Sequence, residues 1–202
     1  IAVFVAPYPV YALLDAALLP VVAVVLVRLL LHTGMHRNLP LAGIVLALGL
    51  ANLLFHLAVL QWLDLPPVQT LHAALGLLVL MQCVMAGRVI PGFTISAARG
   101  ARRIVRRPWL ERLCLVSTAL GLAAWVAAPP AGAIPAATVL LLAAACHGLR
   151  QWHWRARVVW QRPVLWILHA AYLWIPIALV LLALAQLGRL SGSAGVHALG
   201  VG

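Results

Sequence analysis

Histidines and carboxylates set into a chain of aliphatic side chains are the groups here that could do chemistry. The chain holds eight histidines and only three acidic residues, Asp15, Asp64 and Glu111. Neutral imidazole ligates haem iron, copper and zinc. An ionisable group inside a long apolar stretch is costly there, so it marks a ligand, a pathway or a specific partner. Asp15, His56, His72, His169 and His197 stand in such stretches, and His147 stands near the end of one. His32, His36 and His153 fall between them and read as ordinary solvated histidines. Asn52 lies one turn before His56 and is placed to orient its ring. Tyr172 follows His169 by three residues, a spacing that puts both on one helix face.

Other chemistries find little support. No Ser-His-Asp set, nucleotide-binding loop or phosphate cradle occurs, so any redox reaction would be that of a cofactor. Cys83, Cys114 and Cys146 lie in apolar stretches and are odd in number, which predicts buried free thiols. Cys146-His147 lacks the upstream cysteine of a covalent haem-attachment motif.

The elements that must position these groups follow from composition. The chain is 65% hydrophobic and 8% charged, with a mean hydropathy of +1.09. A soluble domain carries roughly 25% charged residues, so most of this surface must face lipid or other apolar helices. A spanning helix needs ~20 apolar residues. Six runs approach that length, at residues 8–31, 39–62, 68–90, 110–128, 134–149 and 164–187, and a seventh begins near residue 196. The expected fold is all-α, a polytopic transmembrane helix bundle forming a single transmembrane domain over residues 1–202. The fifth run is short for a span. The chain starts without Met and stops within an apolar run, which suggests an internal fragment of a longer protein whose remaining helices complete it.

All 14 basic residues are arginine, giving a net charge of +11. In a soluble protein that excess would point to nucleic acid; here topology explains it, and no nucleic-acid partner is expected. The connections at residues 61–67 and 129–135 contain no arginine, whereas those at 32–38, 91–109 and 150–163 hold or adjoin nearly all of it. The positive-inside rule makes the arginine-rich loops cytoplasmic. The segment from Arg99 to Arg112 could also meet anionic lipid headgroups. Trp62, Trp109, Trp152, Trp154 and Trp160 sit at helix ends, where indole rings anchor at the headgroup level.

In this orientation Asp15, His56, His72 and His197 come from four helices yet share one layer in the outer half of the membrane. A thinner layer near the cytoplasm holds His169, Tyr172 and Arg88, with His147 almost at the inner surface. Pro91 has no N–H and disfavours helical geometry at Ile90, so the third helix is expected to end or bend there.

Four strings carry a resemblance: Asn52-Leu53-Leu54-Phe55-His56, Gly87-Arg88-Val89-Ile90-Pro91-Gly92-Phe93-Thr94, Leu168-His169-Ala170-Ala171-Tyr172-Leu173-Trp174-Ile175-Pro176, and His197-Ala198-Leu199-Gly200-Val201-Gly202. In order and spacing they resemble the NnrS family of bacterial polytopic inner-membrane proteins. Those proteins are described as containing haem and copper and are associated with nitric oxide metabolism and nitrosative stress. The resemblance reaches from the Asp15 helix to the last residue. Gly92 and Gly200 depart from the family pattern, and the family's amino-terminal histidine-rich helices and final helices are absent here. It implies that His56, Arg88, Thr94, His169, Tyr172 and His197 belong to the family's motifs, with His72 and Asp15 as secondary candidates. Arg88, Thr94 and Tyr172 are then expected to contact a cofactor, and Arg88 could counter a haem propionate. His56, His169, His197, His72 and Asp15 are expected to supply metal ligands.

The implied function is a haem- and/or copper-binding protein of the bacterial inner membrane acting in the nitric oxide response, with the lipid bilayer, haem or a metal ion, and nitric oxide as partners. The alternative is a transporter or channel for a small solute or metal ion that uses the intramembrane Asp15 and histidines as a pathway. A third reading makes the polar groups helix-packing glue in a larger assembly.

Overall fold

The computed structural model describes residues 7–97, 107–127 and 132–201. Among them the fold is all-α, and six helices are long and apolar enough to cross a membrane. These are α1 (Tyr8–His32), α2 (Leu39–Val59), α3 (Pro67–Ala97), α4 (Pro108–Ala127), α5 (Ala133–His153) and α6 (Pro163–Gln186). A shorter α7 (Gly192–Val201) follows. The expected polytopic helical membrane fold is therefore observed. Its outward faces carry large apolar residues, among them Val21, Leu120 and Leu173, as lipid contact requires. The chain packs as two compact units, residues 1–81 and 82–202, with the division inside α3.

In the first unit α1 closes at Gly34, whose φ of +68° a side chain would resist. The Gly34 N–H bonds Leu31 and the Met35 N–H bonds Leu30, so the last carbonyls are satisfied before the chain turns into α2. The two helices approach closely at Gly49: a Cβ there would lie 2.9 Å from Cδ of Pro20 on α1. Small residues at such crossings let membrane helices gain dispersion contact where lipid offers no hydrophobic drive.

In the second unit α4, α5, α6 and α7 pack in sequence order. The buried face of α5 is Ala136, Ala137, Leu140, Ala143, Ala144, His147 and Arg150, each one or three residues after the last, with Cys146 beside it. It meets Leu110, Cys114, Thr118 and Leu122 from α4, and Tyr172, Ile175, Leu179 and Leu182 are the buried face of α6. Gly188, with φ +69°, ends α6 as Gly34 ends α1.

Three expectations are corrected. Pro91 does not end α3, which runs on to Ala97. The proline ring would clash with the carbonyl four residues back, that of Gly87, but membrane helices tolerate such sites because neighbouring groups take over the released bonding. The fifth helix reaches His153 rather than ending at residue 149, because Arg150 lies inside the bundle and not in the loop. Trp154 is buried, whereas Trp62, Trp109, Trp152 and Trp160 are exposed as interface anchors should be. Arg99, Arg102, Arg103 and Arg106 lie outside the described residues.

Candidate functional site

Polar side chains gather at one place in the first unit. Asp15 on α1 and His56 on α2 meet, with His56 Nε2 3.0 Å from the Asp15 carboxylate. Asn52 donates from Nδ2 to the same carboxylate oxygen at 2.7 Å. One turn separates Asn52 from His56, so both reach the same carboxylate from one face of α2. Asn52 therefore orients Asp15, which in turn orients the imidazole, so its expected influence on the His56 ring passes through the carboxylate. The other ring nitrogen, Nδ1, is 2.9 Å from the Tyr8 hydroxyl. With Asp15 ionised, the neutral imidazole donates from Nε2 and accepts from Tyr8 at Nδ1. Rings of Tyr8, Tyr11 and Phe55 pack edge-on around His56. Both nitrogens of this buried histidine are thus taken by protein. His72 is half-buried on the part of α3 that belongs to this unit.

The second unit holds a longer chain of bonds, built around a buried cation. Arg150 is 2% exposed. Its Nη2 donates to the Glu111 carboxylate, from the first turn of α4. Its Nη1 donates to the Cys83 carbonyl and to the Tyr172 hydroxyl, each at 3.1 Å. The guanidinium lies 5.0 Å from the Trp154 ring centroid, a cation–π contact. Gly87 makes room for it: a Cβ at that position would fall 1.6 Å from Arg150 Nη2.

From Arg150 the bonds run in one direction. Tyr172 Oη accepts from Arg150, so its own proton points to Nδ1 of His147. His147 must then carry its proton on Nε2, which faces the Thr118 hydroxyl at 2.7 Å. Thr118 accepts that proton, since its own goes to the Cys114 carbonyl at 2.6 Å. Cys83 Sγ lies 3.7 Å from the same Nε2. His147 is fully buried in the bundle, and like His56 it has both nitrogens engaged.

His169 differs. Thr94 donates its hydroxyl proton to the Ile90 carbonyl at 2.8 Å, so its oxygen accepts from His169 Nε2 at 3.0 Å. That fixes the tautomer and leaves a lone pair on Nδ1. His169 is 3% exposed, and Nδ1 is a buried atom without a hydrogen-bond partner among the described residues. The ring is steadied by Trp154, 6.3 Å away, which also packs on Tyr172 at 4.6 Å. Gln151 holds the His169 carbonyl at 2.6 Å. An imidazole with one N–H tied and the other nitrogen bare is how a metal-ligating histidine is presented.

Two further candidates are Arg88 and His197. Arg88 is half-buried on α3. His197 is exposed on α7, and its Nδ1 bonds the Ser193 carbonyl of its own helix at 2.8 Å. Sequence reasoning missed Arg150, Glu111, Cys83, Thr118 and Trp154. The usable signal was Glu111, the sole carboxylate after residue 64, in a span whose neighbour ends in an arginine.

Comparison with known proteins is brief. No curated protein and no solved structure matches the chain. The family model described as NnrS protein matches residues 1–202, so the chain belongs to the NnrS family.

Proposed function

We propose that this protein is a haem-binding, multi-pass protein of the bacterial inner membrane that acts in the nitric oxide response, with His169 as its iron ligand. The observation that carries the reading is the buried, unpartnered Nδ1 of His169 beside an Nε2–H held by Thr94. A porphyrin supplies four nitrogens itself, so a single imidazole suffices to hold it, and bound haem would supply redox chemistry and an iron that takes nitric oxide. The chain's own residues would do the rest. His169 binds, Thr94 keeps its tautomer, Trp154 and Gln151 keep its ring and backbone in place, and Arg88 offers a cation to a propionate.

Copper fits less well. A copper ion needs several donors from the protein. Among the described residues no three or more His, Cys, Asp or Glu side chains gather to hold a metal. The residues His56, His72, His197 and Asp15 would need donors from elsewhere. We propose that the arginine-rich ends and turns within residues 32–38, 91–109 and 150–163 lie toward the cytoplasmic side, as the arginine asymmetry supports, with Arg150 itself withdrawn into the bundle.

The rival reading, a small-solute or metal-ion pathway, is favoured by the Asp15 side chain, which stays 36% exposed while bonded to His56. Absorption spectra separate the two. The chain is purified in detergent, air-oxidised and then reduced with dithionite, beside a His169→Ala variant. Haem bands that disappear in the variant support the reading; a parent that shows no bands even after incubation with haem overturns it.

A further inference from the structure

Beyond α5 the chain turns through Trp154 and Arg155 into a short 3-10 helix, Ala156–Val159. Arg155 takes φ 52° and ψ 55°, the left-handed region that glycine enters without penalty and arginine does not. Glycine would make this turn more easily, so the strain is tolerated for what the side chain does. Arg155 lines a cavity of about 810 Å³ together with Arg107, Arg157 and His153, and Val158 and Leu173 give it apolar wall.

Three exposed arginines thus line one cavity, and each cation there favours an anionic occupant. Residues 82–202 contain a single carboxylate, Glu111, and Arg150 already engages it. The unit therefore has no acidic side chain left to neutralise the cavity. Its level in the membrane is marked independently. Trp152 and Trp160 are 73% and 70% exposed on either side of the turn, the position of indole rings among lipid headgroups. Arg157 lies 5.8 Å from the Trp152 ring, which holds its cation at that level. A ligand that meets all of this has an anionic phosphate at the headgroup level and an apolar tail beside Val158 and Leu173. Guanidinium and phosphate match in a bidentate manner.

We propose that this cavity binds the headgroup phosphate of an anionic phospholipid, with Arg107, Arg155 and Arg157 as its cationic wall. The site does not depend on the haem reading.

The test is native mass spectrometry of the purified chain released from nanodiscs of phosphatidylcholine with and without phosphatidylglycerol of the same acyl chains. The parent retains phosphatidylglycerol in preference to phosphatidylcholine. Arg155→Gly and Arg157→Gln each weaken retention about five-fold, the effect of one cation near an anionic surface. Arg155→Gly also relaxes the backbone, so its melting temperature stays at or above the parent's, which separates lost lipid from lost fold. Arg189→Gln, an exposed cation beyond α6, leaves retention unchanged. Equal retention of the two lipids, or parent-like retention by Arg155→Gly, overturns the proposal. So does inorganic phosphate stabilising the chain as well as phosphatidylglycerol does, which would give the cavity to a soluble anion. Loss of haem absorption in these variants with lipid retention intact would give it to porphyrin carboxylates and overturn the lipid assignment too.

Discussion

His56 and His169 are both 3% exposed, both lie in apolar helices, and both come from the strings that identify the family. They differ in what their second nitrogen does. In the first unit Asp15 takes Nε2 of His56 and Tyr8 takes Nδ1, so the imidazole is saturated and acts as a joint between α1 and α2. In the second unit Thr94 takes Nε2 of His169 and nothing described takes Nδ1. A buried polar atom with no partner costs about 1–3 kcal/mol; Nε of Arg150 is another such atom, but it is a donor on a cation whose Nη atoms are both bonded, whereas Nδ1 of His169 offers a lone pair. His147 supports the contrast from within the second unit: it sits near Arg150 and Tyr172, yet Thr118 and Tyr172 close both its nitrogens. Burial alone does not equip a histidine to be a ligand; a nitrogen left open is needed as well.

The largest expected effect tests this directly. His169→Ala abolishes haem absorption in the purified chain, whereas His56→Ala leaves the bands in place and lowers stability. Reduced-minus-oxidised spectra of the two variants, at equal protein, are the measurement. If His56→Ala removes the bands and His169→Ala keeps them, the comparison is drawn the wrong way round.

Next in size is the Arg150–Glu111 pair. Removing one partner of a buried pair leaves the other charge uncompensated, at about 3–5 kcal/mol. The Glu111 side chain is 27% exposed, so Glu111→Ala is expected at the lower end, about 3 kcal/mol. The loss falls on the second unit, whose α3, α4, α5 and α6 residues meet at Arg150. Chemical denaturation in mixed micelles measures it. Glu111→Ala combined with Arg150→Leu should be less destabilised than Glu111→Ala alone, because the stranded cation is gone. A double variant as unstable as the sum of the singles would mean that the two residues are not coupled.

These two cases also show what could be read from the sequence. Apolar run lengths place the six spans to within about four residues at every end but that of α3, which runs on from residue 90 to Ala97, since ~20 residues must cross the hydrocarbon and few polar ones can join them. The errors come where a polar residue is paid for by a distant partner. Arg150 reads as loop because an unpaired arginine would end a span, and Glu111, 39 positions away, is what lets it stay. Pro91 reads as a stop because local geometry says so, and packing overrides it. Depth counted along each helix aligns Asp15 with His56 correctly, and the two do meet. It cannot tell His56 from His169, because the difference lies in the hydroxyls of Tyr8 and Thr94, 48 and 75 positions away.

Thr94→Val tests the second of those hydroxyls. It removes the acceptor of the His169 Nε2 proton while keeping the shape of the side chain. Loss of such a supporting partner typically weakens metal affinity by about 10–100-fold. Haem titration of the purified variant should show a decrease in that range with the bands still present. An unchanged affinity would mean that Trp154 and Gln151 suffice to orient the ring.

The smallest effect is the most discriminating. Tyr8→Phe removes the hydroxyl that closes Nδ1 of His56 and leaves the ring packing with Tyr11 and Phe55 in place. Hydrogen bonds between membrane helices contribute about 0.6 kcal/mol on average, so stability should barely change. The imidazole, however, becomes a copy of His169: one nitrogen tied, here to Asp15, and the other open. If engagement is what withholds His56 from metals, the variant should bind added zinc at a site the parent lacks, and calorimetric titration of both would show the extra event. His56→Ala in the same background should remove it. Equal binding by the parent and Tyr8→Phe would mean that something other than the occupied nitrogen separates the two histidines, and the availability of His169 would then need a different cause.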